Sequence, residues 1–74
     1  MDKYEAIGLS IVEGNTAEEV LKSWNKNMPM PLPNIEMFMR NLSGILKEVG
    51  IDIRIDSYEH ALEDLLANGI LVKK

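Results

Sequence analysis

The feature of this sequence that most constrains its fold is residues 34–50, where apolar side chains recur at helical spacing. Steps of three and four residues place side chains on one stripe of an α-helix. The residues at these steps are Ile35, Phe38, Leu42, Ile45 and Val49, with Met39 and Leu46 beside them. Asn34 suits the N-cap, and Gly50 suits the left-handed position after the helix. The sequence therefore predicts a central helix over residues 34–49, on which the other helices pack.

Two further helices are predicted, one on each side of the central helix. Thr16 is a suitable N-cap for residues 17–25, and Asp56 or Ser57 is a suitable N-cap for residues 58–68. The first helix would bury Ala17, Val20, Leu21 and Trp24. The second would bury Tyr58, Ala61, Leu62, Leu65 and Leu66. Each set lies on one helical face, so both helices are expected to contribute to the core.

The apolar pattern of residues 2–13 fits both the period of a helix and the period of a strand. If this stretch is a helix, one of its faces carries Tyr4, Ile7, Gly8 and Ile11. As a strand, it would alternate Ile7, Leu9 and Ile11 with Gly8 and Ser10. The length of the stretch and the capping-box spacing of Asp2 and Glu5 favour the helix, and the strand is the alternative.

Two short segments have β character. In residues 51–55, isoleucines at 51, 53 and 55 alternate with Asp52 and Arg54, as in a half-buried strand. Residues 70–72 form an apolar run after Gly69, just as residues 51–55 follow Gly50, so the two segments could pair with each other. The predicted fold class is mainly α. It is a small bundle of three to four helices with one or two short β segments, at 51–55 and at 70–72.

Composition limits the kind of protein this is. The 74 residues predict one small globular domain, residues 1–74, which buries only about 60% of the surface of its unfolded chain. There is no cysteine, and no apolar run approaches the roughly 18 residues of a membrane span. The net charge of −4 opposes attraction to phosphate backbones and anionic membranes. We expect a cytoplasmic protein without membrane contact.

The side chains that carry chemistry are sparse. His60 is the sole histidine, and we interpret it as a solvated residue with Asp64 one helical turn away. The glycines are scattered singly, and the carboxylates lack EF-hand spacing. We therefore expect no enzyme activity, no catalytic residue, no cofactor and no metal site.

The candidate site is a Met/Pro-rich segment. Prolines at 29, 31 and 33 favour a stiff, extended connector into the central helix. Methionine side chains either fill irregular gaps in a core or line surfaces that adapt to partners. The predicted partner-binding residues are Met28, Met30, Leu32, Met37 and Met39. Gly44, inside the central helix, suggests the close approach of another backbone.

Three functions are consistent with these features. The favoured one is a small acidic regulatory or inhibitory protein that binds another protein through the Met/Pro-rich segment. The alternative is a DNA-binding regulator with a helix-turn-helix or winged-helix fold. In spacing, the break at Gly14-Asn15-Thr16 followed by Ala17-Glu-Glu-Val is similar to the early helices of helix-turn-helix proteins. The run at residues 69–74 resembles the passage from a last helix into a wing. The central helix would then read DNA, yet its basic residues are Arg40 and Lys47 alone. The second alternative is a small assembly subunit or homodimer.

Overall fold

The computed structural model describes residues 2–6 and 10–74. The strands are β1 (Asp2–Ala6), β2 (Ser10–Gly14) and β3 (Leu71–Lys73). The helices are α1 (Ala17–Lys26), α2 (Ile35–Glu48) and α3 (Tyr58–Ala67). The strands form one antiparallel sheet in the order β2-β1-β3; α1 and α3 pack against one face of it, and α2 packs on α1. Within the described residues, no helix is long and apolar enough to cross a membrane.

The predicted mainly-α bundle is wrong, and the fold is α+β. Within residues 2–13, predicted as a helix, the described parts form β1 and most of β2, which pair with Tyr4 opposite Val12 and Glu5 opposite Ile11. Tyr4 and Val12 are buried, whereas Ile11 is exposed, so burial alternates with the period of a strand. The structure forms strands here because β1 also gains a partner from the other end of the chain. Ile7, Gly8 and Leu9 lie outside the described residues.

The strand predicted over residues 51–55 is also wrong. This segment is extended, but it pairs with no strand in the described part of the chain. The strand predicted at 70–72 is present as β3, shifted by one residue, and it pairs with β1. The helix-turn-helix resemblance placed a helix before Gly14, and the described residues there form β1 and β2 instead.

Gly50-Ile51 and Gly69-Ile70 resemble each other because each pair ends a helix in the same way. Both glycines have positive φ, 84° and 73°. Ile51 N–H donates to the Leu46 carbonyl and Ile70 N–H to the Leu65 carbonyl, each over 2.9 Å. These bonds define a Schellman motif at the ends of α2 and α3. The second motif leads into a strand, and the first leads into an unpaired extended segment.

Helix α1 occupies the centre of the core. It packs on β2 and contacts both α2 and α3. The prediction that the other helices pack on residues 34–49 is therefore corrected, because α1 has this role. Trp24 of α1 meets Phe38 of α2 edge to face, with ring centroids 5.6 Å apart. The core cluster includes Tyr4, Ala6, Val12, Val20, Leu21, Trp24, Phe38, Met39, Leu42, Leu46, Ile53, Ala61, Leu65, Ile70 and Leu71.

Helix α2 faces the core with a stripe that differs from the predicted one. Its buried residues are Phe38, Met39, Leu42 and Leu46. Ile45 and Val49, predicted to be in the stripe, are exposed. Both sets follow helical spacing, so periodicity alone cannot tell which side of such an apolar helix turns inward. Contact with α1 decides it.

Val12 and Val72 provide a matched test of the sheet, since Val12 is 0% exposed on the inner face and Val72 is 53% exposed on the outer face. We expect Val12→Ala to lower the free energy of unfolding by about 2 kcal/mol, because it removes buried methyl groups and leaves a cavity. Val72→Ala should change it by less than about 0.5 kcal/mol. Urea denaturation measures both. Equal effects would contradict the strand orientation.

Gly14 and Gly44 provide a second matched pair. A Cβ on Gly14 would lie 2.7 Å from the backbone nitrogen of Val20 in α1, whereas nothing lies within 4 Å of a Cβ on Gly44. Gly14→Ala should therefore destabilise the fold by about 1–3 kcal/mol. Gly44→Ala should stabilise it by about 0.5–1 kcal/mol, because alanine is the better helix former. Thermal unfolding checks the two opposite signs, and a loss of stability in the Gly44 variant would reveal a neighbour.

Candidate interaction site

The loop between α1 and α2 is held by one side chain at the end of α1. Asn25 Nδ2 donates to the Leu32 carbonyl, and Leu32 N–H donates to Asn25 Oδ1, each over 3.0 Å. This pair of bonds fixes the returning arm of the loop much as a neighbouring strand would. The prolines at 29, 31 and 33 restrict the backbone further. The loop is therefore a preordered part of the fold.

The five predicted partner-binding residues separate into three groups. Met39 is only 5% exposed and belongs to the core. Met28 and Leu32 are partly buried and pack against the core. Met30 is 85% exposed and Met37 is 45% exposed. Both interpretations of the methionines thus apply, but at different positions, and the surface candidates are Met30 and Met37.

Met30 lies at the tip of the loop. Its neighbours Pro29 and Pro31 are also exposed, and the arms on either side are anchored through Met28 and Leu32. Methionine is flexible and polarizable, so it fits apolar pockets of different shapes. A tip whose backbone is already ordered loses little conformational entropy on binding. The arrangement can insert one apolar side chain into a partner.

Additional apolar surface lies on and just after α2. Met37 and Ile45 of the helix and Val49 at its C-cap are exposed, and nothing lies within 4 Å of a Cβ placed on Gly44. Ile45 and Val49 were not predicted to be exposed, because their spacing placed them in the core-facing stripe. No described backbone approaches Gly44, so the chain itself does not supply the neighbour that this glycine suggested.

A charged contact ties residues 51–55 to α3. Arg54 donates its backbone N–H to Asp64 Oδ2 over 2.8 Å, and its guanidinium bonds both oxygens of that carboxylate over 3.0 Å. Glu63 lies 3.4 Å from the same guanidinium. These bonds from Arg54 lower the pKa of Asp64 to about 2. Asp64 thereby fixes the extended segment.

His60 does not pair with Asp64. Its Nδ1 lies 3.0 Å from Asp56 Oδ1, one turn earlier, and this hydrogen bond lowers the pKa of Asp56. Ser57, rather than Asp56, caps α3, because its Oγ accepts from the His60 N–H. Asp56 is therefore free of the capping role and engages the histidine ring.

A cleft of about 360 Å³ lies between the start of α2 and residues 55–58. Its apolar lining comes from Met39, Ile55 and Tyr58, and its charged lining comes from Glu36, Arg40 and Asp56. The cleft has no sequence signal, because its two sides are far apart in the chain and meet only in the folded protein. The cleft combines apolar contact with a rim of both charges.

Comparison with protein-family models, curated protein sequences and solved structures finds no match to this chain.

The Arg54–Asp64 contact gives a testable pH dependence. The pKa of Asp64 is about 2 in the folded protein and 3.8 ordinarily, so its contribution to stability is complete above about pH 4 and lost as the pH falls through about 2. We expect Asp64→Asn to be less stable than the wild type at neutral pH and to lose less stability between about pH 4 and 2. Urea midpoints across this range measure the difference.

The control is Asp2→Asn, since Asp2 is exposed on β1 and forms no ion pair with the described residues. This variant should keep the acid-dependent fall of the wild type. An unchanged fall in Asp64→Asn would show that the Arg54 contact does not contribute to stability.

Proposed function

We propose that this chain is a small regulatory or inhibitory protein-binding module that captures its partner with Met30. The observation that carries the proposal is the 85% exposure of Met30 on a loop that Asn25 holds in place. An apolar side chain displayed on a fixed support suits the central anchor of an interface. Met37 would add a second contact from the first turns of α2.

A protein is the partner class that these features favour. The exposed groups at the tip are apolar, and the net charge of −4 is unfavourable for nucleic acid. Acidic side chains elsewhere on the surface, including Glu48 and Glu59, would speed encounter with a basic partner. In this proposal Met30 provides affinity and the acidic surface provides attraction at long range.

The test compares three immobilised baits in a lysate of the cells that produce the protein: wild type, Met30→Glu and Val72→Glu. Val72 is the control, because it is also exposed but lies on the outer face of the sheet. We expect a protein retained by the wild type and by Val72→Glu to be reduced at least about tenfold with Met30→Glu. Quantitative mass spectrometry of the retained proteins measures the ratio.

Unfolding midpoints of the three baits should agree, because neither substituted side chain belongs to the core. A further bait, Asn25→Ala, keeps Met30 but releases the loop. It should retain less partner than the wild type, since the loop must then be ordered on binding. Equal retention of every protein by Met30→Glu and Val72→Glu would contradict the proposal.

A further inference from the structure

Residues 51–55 have the backbone of a strand without a neighbour. Ile51 N–H donates to Leu46 and Arg54 N–H donates to Asp64, and these are the segment's backbone hydrogen bonds within the described residues. The N–H groups of Ile53 and Ile55, and the carbonyl groups of the segment, have no protein partner there. An extended segment with unpaired N–H and C=O groups is a template for pairing with another chain.

The direction of the Arg54 bond identifies the open edge. Arg54 N–H points toward α3, where Asp64 Oδ2 accepts it over 2.8 Å. In an extended backbone, the hydrogen-bonding groups of successive residues point to opposite edges. The N–H and C=O groups of Ile53 and Ile55 therefore point away from α3, where no described group bonds them; the Ile53 side chain is buried in the core, and Ile55 is 40% exposed.

The sequence of this segment is complementary to itself. When two copies run antiparallel with Ile53 opposite Ile53, Asp52 of each copy lies opposite Arg54 of the other. Opposite charges directly across an antiparallel pair are favourable. Asp52 forms no ion pair within the described residues, and Arg54 Nη1 makes no hydrogen bond there because Asp64 and Glu63 engage Nε and Nη2.

We propose that this chain forms a homodimer in which residues 51–55 of two copies pair as an antiparallel two-stranded ribbon. Ile53 exchanges backbone hydrogen bonds with Ile53 of the second copy, and Ile55 N–H donates to the Ile51 carbonyl of the second copy. The pairing also covers Ile55, which is 40% exposed, with the half-buried Ile51 of the other copy. The charge pattern selects a second copy over an unrelated extended segment.

This ribbon explains why residues 51–55 have the alternating sequence of a strand although they pair with no strand of the described residues. Both Schellman motifs place an isoleucine at the start of an extended run. The run after α3 pairs with β1 inside the chain, and the run after α2 pairs with its own copy in the dimer. The ribbon includes neither Met30 nor Met37, so variants of the two regions test partner capture and dimer formation separately.

Sedimentation equilibrium of the full chain tests the proposal, with Asp52→Lys and Glu13→Lys as matched variants. Each reverses one exposed charge, but Glu13 lies on the sheet rather than on the ribbon. We expect a dimer for the wild type, and a dissociation constant about tenfold higher for Asp52→Lys, because lysine then faces Arg54 at both ends of the ribbon. Glu13→Lys should change the constant by less than about twofold.

Disulfide trapping tests the register, because the natural chain has no cysteine. Mixing Asp52→Cys chains with Arg54→Cys chains under oxidising conditions should give covalent dimers, since these positions are opposed at close Cα distance. Asp52→Cys alone should cross-link far less. Three results would overturn the proposal. The wild type could stay monomeric up to roughly 1 mM, the two lysine variants could change the dissociation constant equally, or both cysteine samples could cross-link equally.

Discussion

The pairing of β1 with β3 is the interaction on which the rest of the structure depends. It places Glu5, near one end of the chain, opposite Val72, near the other. With β2 on its other edge, β1 becomes the central strand, and Tyr4, Ala6, Val12 and Leu71 form one apolar face. Two strands alone would be marginal in water, and the third strand together with the helices makes the sheet stable. Helix α1 covers this face, and α3 is positioned to lead into β3.

Two extended segments are held by side chains of neighbouring helices rather than by strands. Asn25 at the end of α1 bonds both backbone groups of Leu32. Asp64 on α3 bonds the backbone and the guanidinium of Arg54. Each tether occupies one edge of its segment and leaves other parts exposed. The two regions proposed for recognition, the Met30 tip and residues 51–55, are therefore ordered before any partner arrives, which lowers the entropic cost of binding.

The candidate site was predictable only in part. Prolines on both sides of Met30 indicated a stiff exposed segment, and the position of Met37 outside the main stripe of α2 indicated exposure. Met39 was predicted both to lie beside the core-facing stripe of α2 and to bind a partner. It is buried, because the true inner face of α2 is turned toward Met39 and Leu46. The tether at Asn25 had no distinctive sequence signal, since it joins a side chain to a backbone seven residues away. The cleft lined by Arg40 and Ile55 exists only when α2 and residues 55–58 are brought together.

The sequence by itself determined the three helices, the N-caps Thr16 and Asn34, and the glycines that end α2 and α3, and it limited the N-cap of α3 to Asp56 or Ser57. These features depend on interactions within a few residues, which a local pattern records. Tertiary structure alone decided that the described parts of residues 2–13 form strands, that β3 pairs with β1, and that residues 51–55 pair with no strand of the described residues. At these places the apolar pattern fits more than one structure. The choice depends on partners from distant parts of the chain, whose positions only the folded core fixes.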